Sequence, residues 1–344
     1  MELDERKARV LRAVVHDFIQ TAEPVGSRTL TERYALGVSP ATIRHELAVL
    51  EEQGYLSHPH TSSGRVPTDL GYRYYVDALS DVGKLARAQE EAIARYFEGV
   101  ADLEETLVRT SALLAGLTRY TAMVSPPALE RSRLRHVELV GLSARVVMLV
   151  LIVDTGRVEK RVIELPAEAS VEHLEELRRR LNEALGGERL DKVEWRLGSI
   201  ADSIRPEQRV LFTAVEDAIG QMVGDSAAGR VLIGGQAHLA NPGAFTALET
   251  VRAVYEALEH QVLLVRMLQA AMGPAAERVS VTIGSEMTIE QMQACSLVTA
   301  SYPAGDAVGT IGVLGPTRMD YLRAMAAVQA VARYLGDVLD DVEP

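Results

Sequence analysis

Thr42, Arg44 and His45 fall within one helical turn of each other, and each side chain can hydrogen-bond base edges or phosphate oxygens. Arg28 and Thr29 form a second polar group, and Ser62, Ser63 and Arg65 make a third within T-S-S-G-R. Guanidinium forks beside small hydroxyls suit a nucleic-acid backbone, which takes most protein–DNA hydrogen bonds, with a minority left to read bases. We expect Arg28 and Thr29 at phosphates, Thr42, Arg44 and His45 at the major groove, and Arg65 near a phosphate or the minor groove. The chemistry on offer is recognition rather than bond breaking.

Three elements have to hold these groups. Ser39 suits a helix cap, and Pro40 fits the first helical position, where its missing N–H costs nothing. Ile43, Leu47 and Leu50 recur at helical spacing, which buries one face and turns Thr42, Arg44 and His45 outward. Ser39 belongs to the same DNA-facing set because it sits at that helix's tip. Gly54 stops the helix. Residues 55–57 and 65–66 then flank a polar tip, the pattern of a β-wing. Upstream, Val10, Val14 and Phe18 stripe a helix over residues 4–22, which ends before Pro24. A short helix over 27–34, capped by Ser27, leads through Leu36-Gly37-Val38 into the reading helix. This order predicts a winged helix-turn-helix.

Beyond the wing, residues 67–76 read as a capped helix whose tyrosines either pack on the wing base or touch the DNA backbone. Residues 80–84 read as a linker, and a helical region runs to about residue 120. Strands are expected at 136–142, 146–153 and 158–165, the last two joined by Asp154-Thr155-Gly156. Helices follow at 170–185 and 206–223, then a short strand at 231–233 and helices at 245–258 and 261–272. Strands at 279–283, 296–302 and 309–314 precede a last helix. Thr317 is expected to cap it, with Leu322, Met325, Val328, Val331, Leu335 and Val338 facing inward. The fold class is α+β multidomain. The expected domains are a winged helix at 1–80 and one α+β domain formed by 84–165 and 229–340. A mainly helical insertion at 166–228 interrupts the second.

The chain's net charge of −12 opposes nucleic-acid binding, and residues 1–80 hold nine Lys/Arg against eleven Asp/Glu. Placement matters more than the sum. Glu51 and Glu52 lie at the far end of the reading helix, whereas Arg28, Arg44 and Arg65 lie where a duplex would be. An acidic body suppresses non-specific binding and leaves affinity to a few contacts. One cysteine, Cys295, excludes an internal disulfide and fits a reducing cytoplasm. No apolar run has the length of a membrane span, and the N-terminus lacks a signal-peptide core.

Other patterns have bland readings. His58 and His60 have no cysteine or acidic partner nearby, so a polar role at the wing tip is expected rather than a metal set. Cys295 has no paired base and is read as a small core residue. Arg178-Arg179-Arg180 reads as a solvated helix face. Gly309, Gly312 and Gly315 match no phosphate-binding fingerprint and are read as a tight strand-to-helix turn. No catalytic set and no cofactor are expected.

Several segments resemble the HrcA family of heat-inducible transcription repressors. They are A-E-P-V-G-S-R (22–28), S-P-A-T-I-R (39–44), L-E-E-Q-G-Y-L (50–56), T-S-S-G-R-V-P-T-D-L-G-Y-R-Y-Y-V (61–76), D-T-G-R-V (154–158) and I-G-V-L-G-P-T-R-M-D-Y (311–321). The resemblance implies a dimeric repressor of chaperone operons that binds an inverted-repeat operator. It also implies a winged helix followed by a GAF-like domain with an inserted dimerisation domain, and activity linked to the chaperonin GroEL. Position 45 departs from the family pattern, His standing where Asn is expected. Two other readings of the chain stay open. One is a ligand-responsive regulator sensing a small molecule through the GAF-like domain; the other is a scaffold using the winged helix to bind protein.

Overall fold

The computed structural model describes residues 3–59, 64–79, 86–97, 103–127, 132–201, 203–227, 230–241, 245, 247–271, 279–305 and 307–341. The architecture is α+β, with a two-stranded ribbon, a five-stranded sheet and a three-stranded sheet. In chain order, α1 (Glu5–Thr21), α2 (Ser27–Arg33), α3 (Pro40–Glu52), β1 (Leu56–Ser57), β2 (Val66–Pro67) and α4 (Asp69–Asp77) come first. Next are α5 (Arg87–Phe97), α6 (Leu103–Thr118), β3 (Thr121–Ser125), β4 (Leu134–Ser143), β5 (Val146–Val153) and β6 (Val158–Glu164). Then follow α7 (Val171–Leu185), α8 (Leu190–Ala201), α9 (Arg209–Ala227), β7 (Leu232–Gly234), α10 (Leu248–Leu258) and α11 (Gln261–Ala271). The last elements are β8 (Ser280–Ile283), β9 (Cys295–Ala304), β10 (Ala307–Pro316) and α12 (Tyr321–Asp341).

The five-stranded sheet runs β7-β3-β10-β9-β8, and every neighbouring pair is antiparallel. Alternation along its strands sends Ala122, Val124, Val298, Ile311 and Val313 into the core shared with α5, α6 and α12. Met123, Leu297 and Leu314 point the other way, onto α10 and α11. The Tyr302 hydroxyl donates to the Ser125 carbonyl at 2.8 Å, and the ring lies where a Cβ on Gly309 would stand. Gly312 faces the Val298 carbonyl and Gly315 the Tyr120 ring in the same way. These glycines are thus positions of close approach inside β10, not the strand-to-helix turn expected of them. Cys295 opens β9 fully buried, and burial pushes its thiol up to about 12.

The expected boundary at residue 166 is not a break in packing. Strands β4, β5 and β6 share no ladder with the five-stranded sheet and form their own. One face of that sheet, with Val137, Leu139, Val147, Leu149 and Leu151, receives Leu174, Leu177, Leu181 and Leu185 of α7, then Phe212 and Val215 of α9. The α7 leucine stripe needs an apolar sheet to cover it, and the strands just before it supply one. Sequence reading also passed over β3 and α8. At the C-terminus, Asp320 rather than Thr317 caps α12, accepting the Arg323 N–H at 3.1 Å. Tyr321 consequently faces the core and Leu322 is 43% exposed.

Phe212 is 2% exposed within the β4–β6 and α7–α9 core. Phe212→Ala is expected to cost about 3–5 kcal/mol there. Urea unfolding followed by circular dichroism should show that loss as a lower midpoint with little change in slope.

Candidate nucleic-acid interface

Helix α3 is built as its sequence dictates. Ser39 Oγ accepts the Thr42 N–H at 3.2 Å and lies 3.0 Å from Thr42 Oγ1, a cap interaction worth about 1 kcal/mol. Ile43, Leu47 and Leu50 are buried against α1 and α2, each contributing about 1.5–3 kcal/mol. Glu46, also buried, takes Arg6 of α1 at 2.8 Å, so an ion pair as well as apolar packing joins the two helices. Sequence reading missed that pair. The remaining face carries Arg44 and His45, both exposed and without a partner among the described residues.

Arg28 is exposed and equally uncommitted in the first turn of α2, with Thr29 half-buried beside it. Gly26, not Ser27, holds the cap position there and offers no side-chain bond, so the α2 N–H groups keep their donors for another acceptor. Arg28, Thr29, Ser39, Thr42, Arg44 and His45 thus sit on two helices packed against each other. Ser39 and Thr42 spend hydrogen-bonding capacity on the cap, whereas the arginines and His45 do not.

The ribbon is a short antiparallel pair in which Leu56 faces Pro67 and Ser57 faces Val66. Arg65 directly precedes β2, on the loop side of the Ser57–Val66 pair. Its backbone exchanges two hydrogen bonds with Val25, at 2.8 and 2.9 Å, an isolated antiparallel bridge next to the start of α2. Gly64 is required there, because a Cβ would stand 2.6 Å from the Pro24 and Val25 backbone. The Arg65 Nε lies 2.6 Å from Glu51 Oε2, yet its N–H is not aimed at that oxygen, so the attraction is electrostatic. Glu51 also binds His58 Nδ1. Ser62, Ser63 and His60 lie outside the described residues.

The tyrosines after the ribbon turn inward. Tyr72 is buried against Tyr321 of α12, and Tyr74 meets the Tyr55 ring edge-on. Arg179 and Arg180 pair with Glu176, and Arg178 with Glu138, so the triple arginine is neutralised on its own surface. Among the described residues no group of His, Cys, Asp and Glu is arranged to hold a metal, and no helix is long and apolar enough to cross a membrane.

The chain has clear sequence relatives among transcription repressors. Residues 104–325 match the family model described as HrcA protein C terminal domain. The chain is 48% identical over 339 residues to the heat-inducible transcription repressor HrcA of Acidothermus cellulolyticus, covering 98% of this chain and 99% of that one. The HrcA repressors of Streptomyces avermitilis and Thermobifida fusca are 46% and 47% identical over 338 residues, covering 98% of this chain and 99% and 97% of theirs. A crystal structure described as that of a hypothetical protein shares the fold, with TM-score 0.67 at 23% identity, covering 99% of this chain and 100% of the other. The chain belongs to the HrcA family of heat-inducible transcription repressors.

Glu51 restrains Arg65 beside the ribbon. Glu51→Gln is expected to free Arg65, raise affinity for non-specific duplex DNA and steepen the log-affinity against log-salt slope by about 0.9. An unchanged slope in an anisotropy salt series would mean that Arg65 does not reach a duplex even when released.

Proposed function

We propose that the chain binds an inverted-repeat operator upstream of chaperone genes as a homodimer and represses them by occluding the promoter. The observation that carries this reading is the outward face of α3, where Arg44 and His45 are held uncommitted on a helix locked from behind. Helix α3 is the recognition helix of a winged helix-turn-helix, α2 lies across it, and β1–β2 is the base of the wing. Arg44 reads a base or clamps a phosphate, His45 takes the place of the family's Asn, and Arg28 and Thr29 grip the backbone. Thr42 and Ser39 set the helix tip, while Ser62, Ser63 and Arg65 are the wing's contribution. The five-stranded sheet with its flanking helices is the GAF-like domain. The inserted unit begins at β4, not at residue 166, because its core does.

Two-fold symmetry follows from the operator: an inverted repeat calls for two reading helices related by a dyad. The outer face of the three-stranded sheet suits the second copy. There Val140, Val158 and Val162 are 38%, 56% and 59% exposed, in register with Met148 and Ile152 of the central strand. Family resemblance supplies the link to GroEL. A chaperonin that refolds the chain would raise the population of DNA-competent dimer, and heat would lower it, since DNA binds only the folded form.

Fluorescence anisotropy on a labelled inverted-repeat duplex from upstream of a chaperone operon, against a scrambled duplex, tests the reading. Tight binding to the repeat alone, weakening linearly in log salt, is the expected result. Equal weak binding to both, with and without GroEL, would refute it. Arg44→Ala should remove about 1–3 kcal/mol of discrimination between the two duplexes if it reads a base. An equal loss on both assigns it to the backbone. Val162→Asp is expected to shift sedimentation from dimer to monomer while the circular dichroism spectrum is retained.

A further inference from the structure

The segment T-D-L-G-Y-R-Y-Y-V runs through α4, and its charged residues serve no DNA contact described above. We propose that Asp69 and Arg73 are positioning residues that fix the angle of the recognition helix on the body and thereby set the half-site separation a dimer accepts. This inference rests on the reading of the chain as a dimeric repressor.

Asp69 and Arg73 are four residues apart, so they share one face of α4, and both reach the same turn after β8. Arg73 Nε donates to Glu286 Oε1 at 2.7 Å, while Nη2 donates to the Val281 carbonyl at 2.6 Å and to the second Glu286 oxygen. Glu286 is itself fixed by the Ile283 N–H at 2.8 Å. Asp69 Oδ2 accepts the Ser285 N–H at 2.8 Å, and its carboxylate fills the space a Cβ on Gly284 would need. Gly284 has φ +49°, so the turn receiving the carboxylate is doubly suited to glycine. Burial pushes the Glu286 carboxyl up, but the Arg73 bonds outweigh that and leave it below the usual carboxylate range.

A two-pronged arginine–carboxylate bond is directional, so it constrains rotation as well as distance. Beside it, the buried Tyr72 and Tyr321 rings meet at 5.9 Å, and Arg318 donates to the Ile19 carbonyl at the end of α1 at 3.1 Å. The other end of α4 is joined to the reading helix. Thr68 caps α4 through the Gly71 N–H, and its Oγ1 donates to the Gly54 and Tyr55 carbonyls where α3 has just ended. The path from body to reading helix is therefore Glu286, Arg73, α4, Thr68 and the end of α3, all polar and all oriented. Two reading helices must land in grooves about 34 Å or a multiple apart. An angle fixed on each body fixes that separation.

The test uses full-length protein and anisotropy on duplexes carrying the inverted repeat at its native separation, at separations changed by one to three base pairs, and on a single half-site. Wild type should lose affinity on the order of tenfold when the separation is shifted. Arg73→Ala and Glu286→Gln should flatten that dependence to within about threefold while leaving single half-site affinity unchanged. Circular dichroism and melting temperature check the fold. Glu286→Gln keeps the side chain's size and an acceptor for Ile283, so it decides the matter if Arg73→Ala does not fold. A variant that keeps the wild-type separation profile, or a wild type indifferent to separation, overturns the inference and leaves the repressor reading intact. A wild type that does not distinguish the repeat from scrambled DNA overturns both.

Discussion

The apolar core that begins in α1 and α3 does not stop at the edge of the N-terminal unit. It passes through Tyr72 and Val76 of α4 into Ile283, Tyr321 and the inner face of α12, so that one packed interior spans the N-terminal helices and the body. Domains joined by a loose linker swing independently; domains that share a close-packed interior transmit displacement, because such interiors deform little. The position of Arg44 in space is thus a property of the whole N-terminal and C-terminal assembly. It follows that damage to the five-stranded sheet is felt at the exposed face of α3.

Electrostatics works by subtraction in this molecule. The chain carries 36 Lys and Arg against 48 Asp and Glu, yet few cations of α2 and α3 remain uncommitted. Arg6 is held by Glu46, Arg33 by Asp17 and Arg65 by Glu51, which leaves Arg28 and Arg44 as the available arginines of α2 and α3. Attraction for an arbitrary duplex is kept small by the acidic remainder, so discrimination depends on geometry at a few points.

Much of the N-terminal unit was legible because its signals are local. Ser39-Pro40, the Ile43/Leu47/Leu50 stripe and Gly54 each act within one helix, and they appear as expected. The misses have a common cause in distance along the chain. Which sheet β4–β6 would join depends on the α7 leucines packing over them, and periodicity within a strand carries no such information. Strand β3 is five residues long and follows directly on a helix, and the exposed Trp195 obscures the Leu190/Val193/Leu197 stripe of α8. The Arg65–Glu51 pair could not be foreseen because fourteen positions and a turn separate its members. The family motif around Arg73 was visible, but its partner Glu286 lies 213 positions away.

The order of strands has a consequence for synthesis. Strand β3 pairs with β10 on one side, Ser125 opposite Thr310, and with β7 on the other, while the whole inserted unit is made in between. At about 5–20 residues per second, the roughly 180 residues separating β3 from β10 occupy the ribosome for about ten to forty seconds. Throughout that interval β3 has at most the short strand β7 to pair with and lacks its central partner β10, although the unit from β4 to α9 can already close its own core. Each newly made molecule thus passes through a stage with a finished appendage and an unfinished centre, and the time spent there is written into the topology.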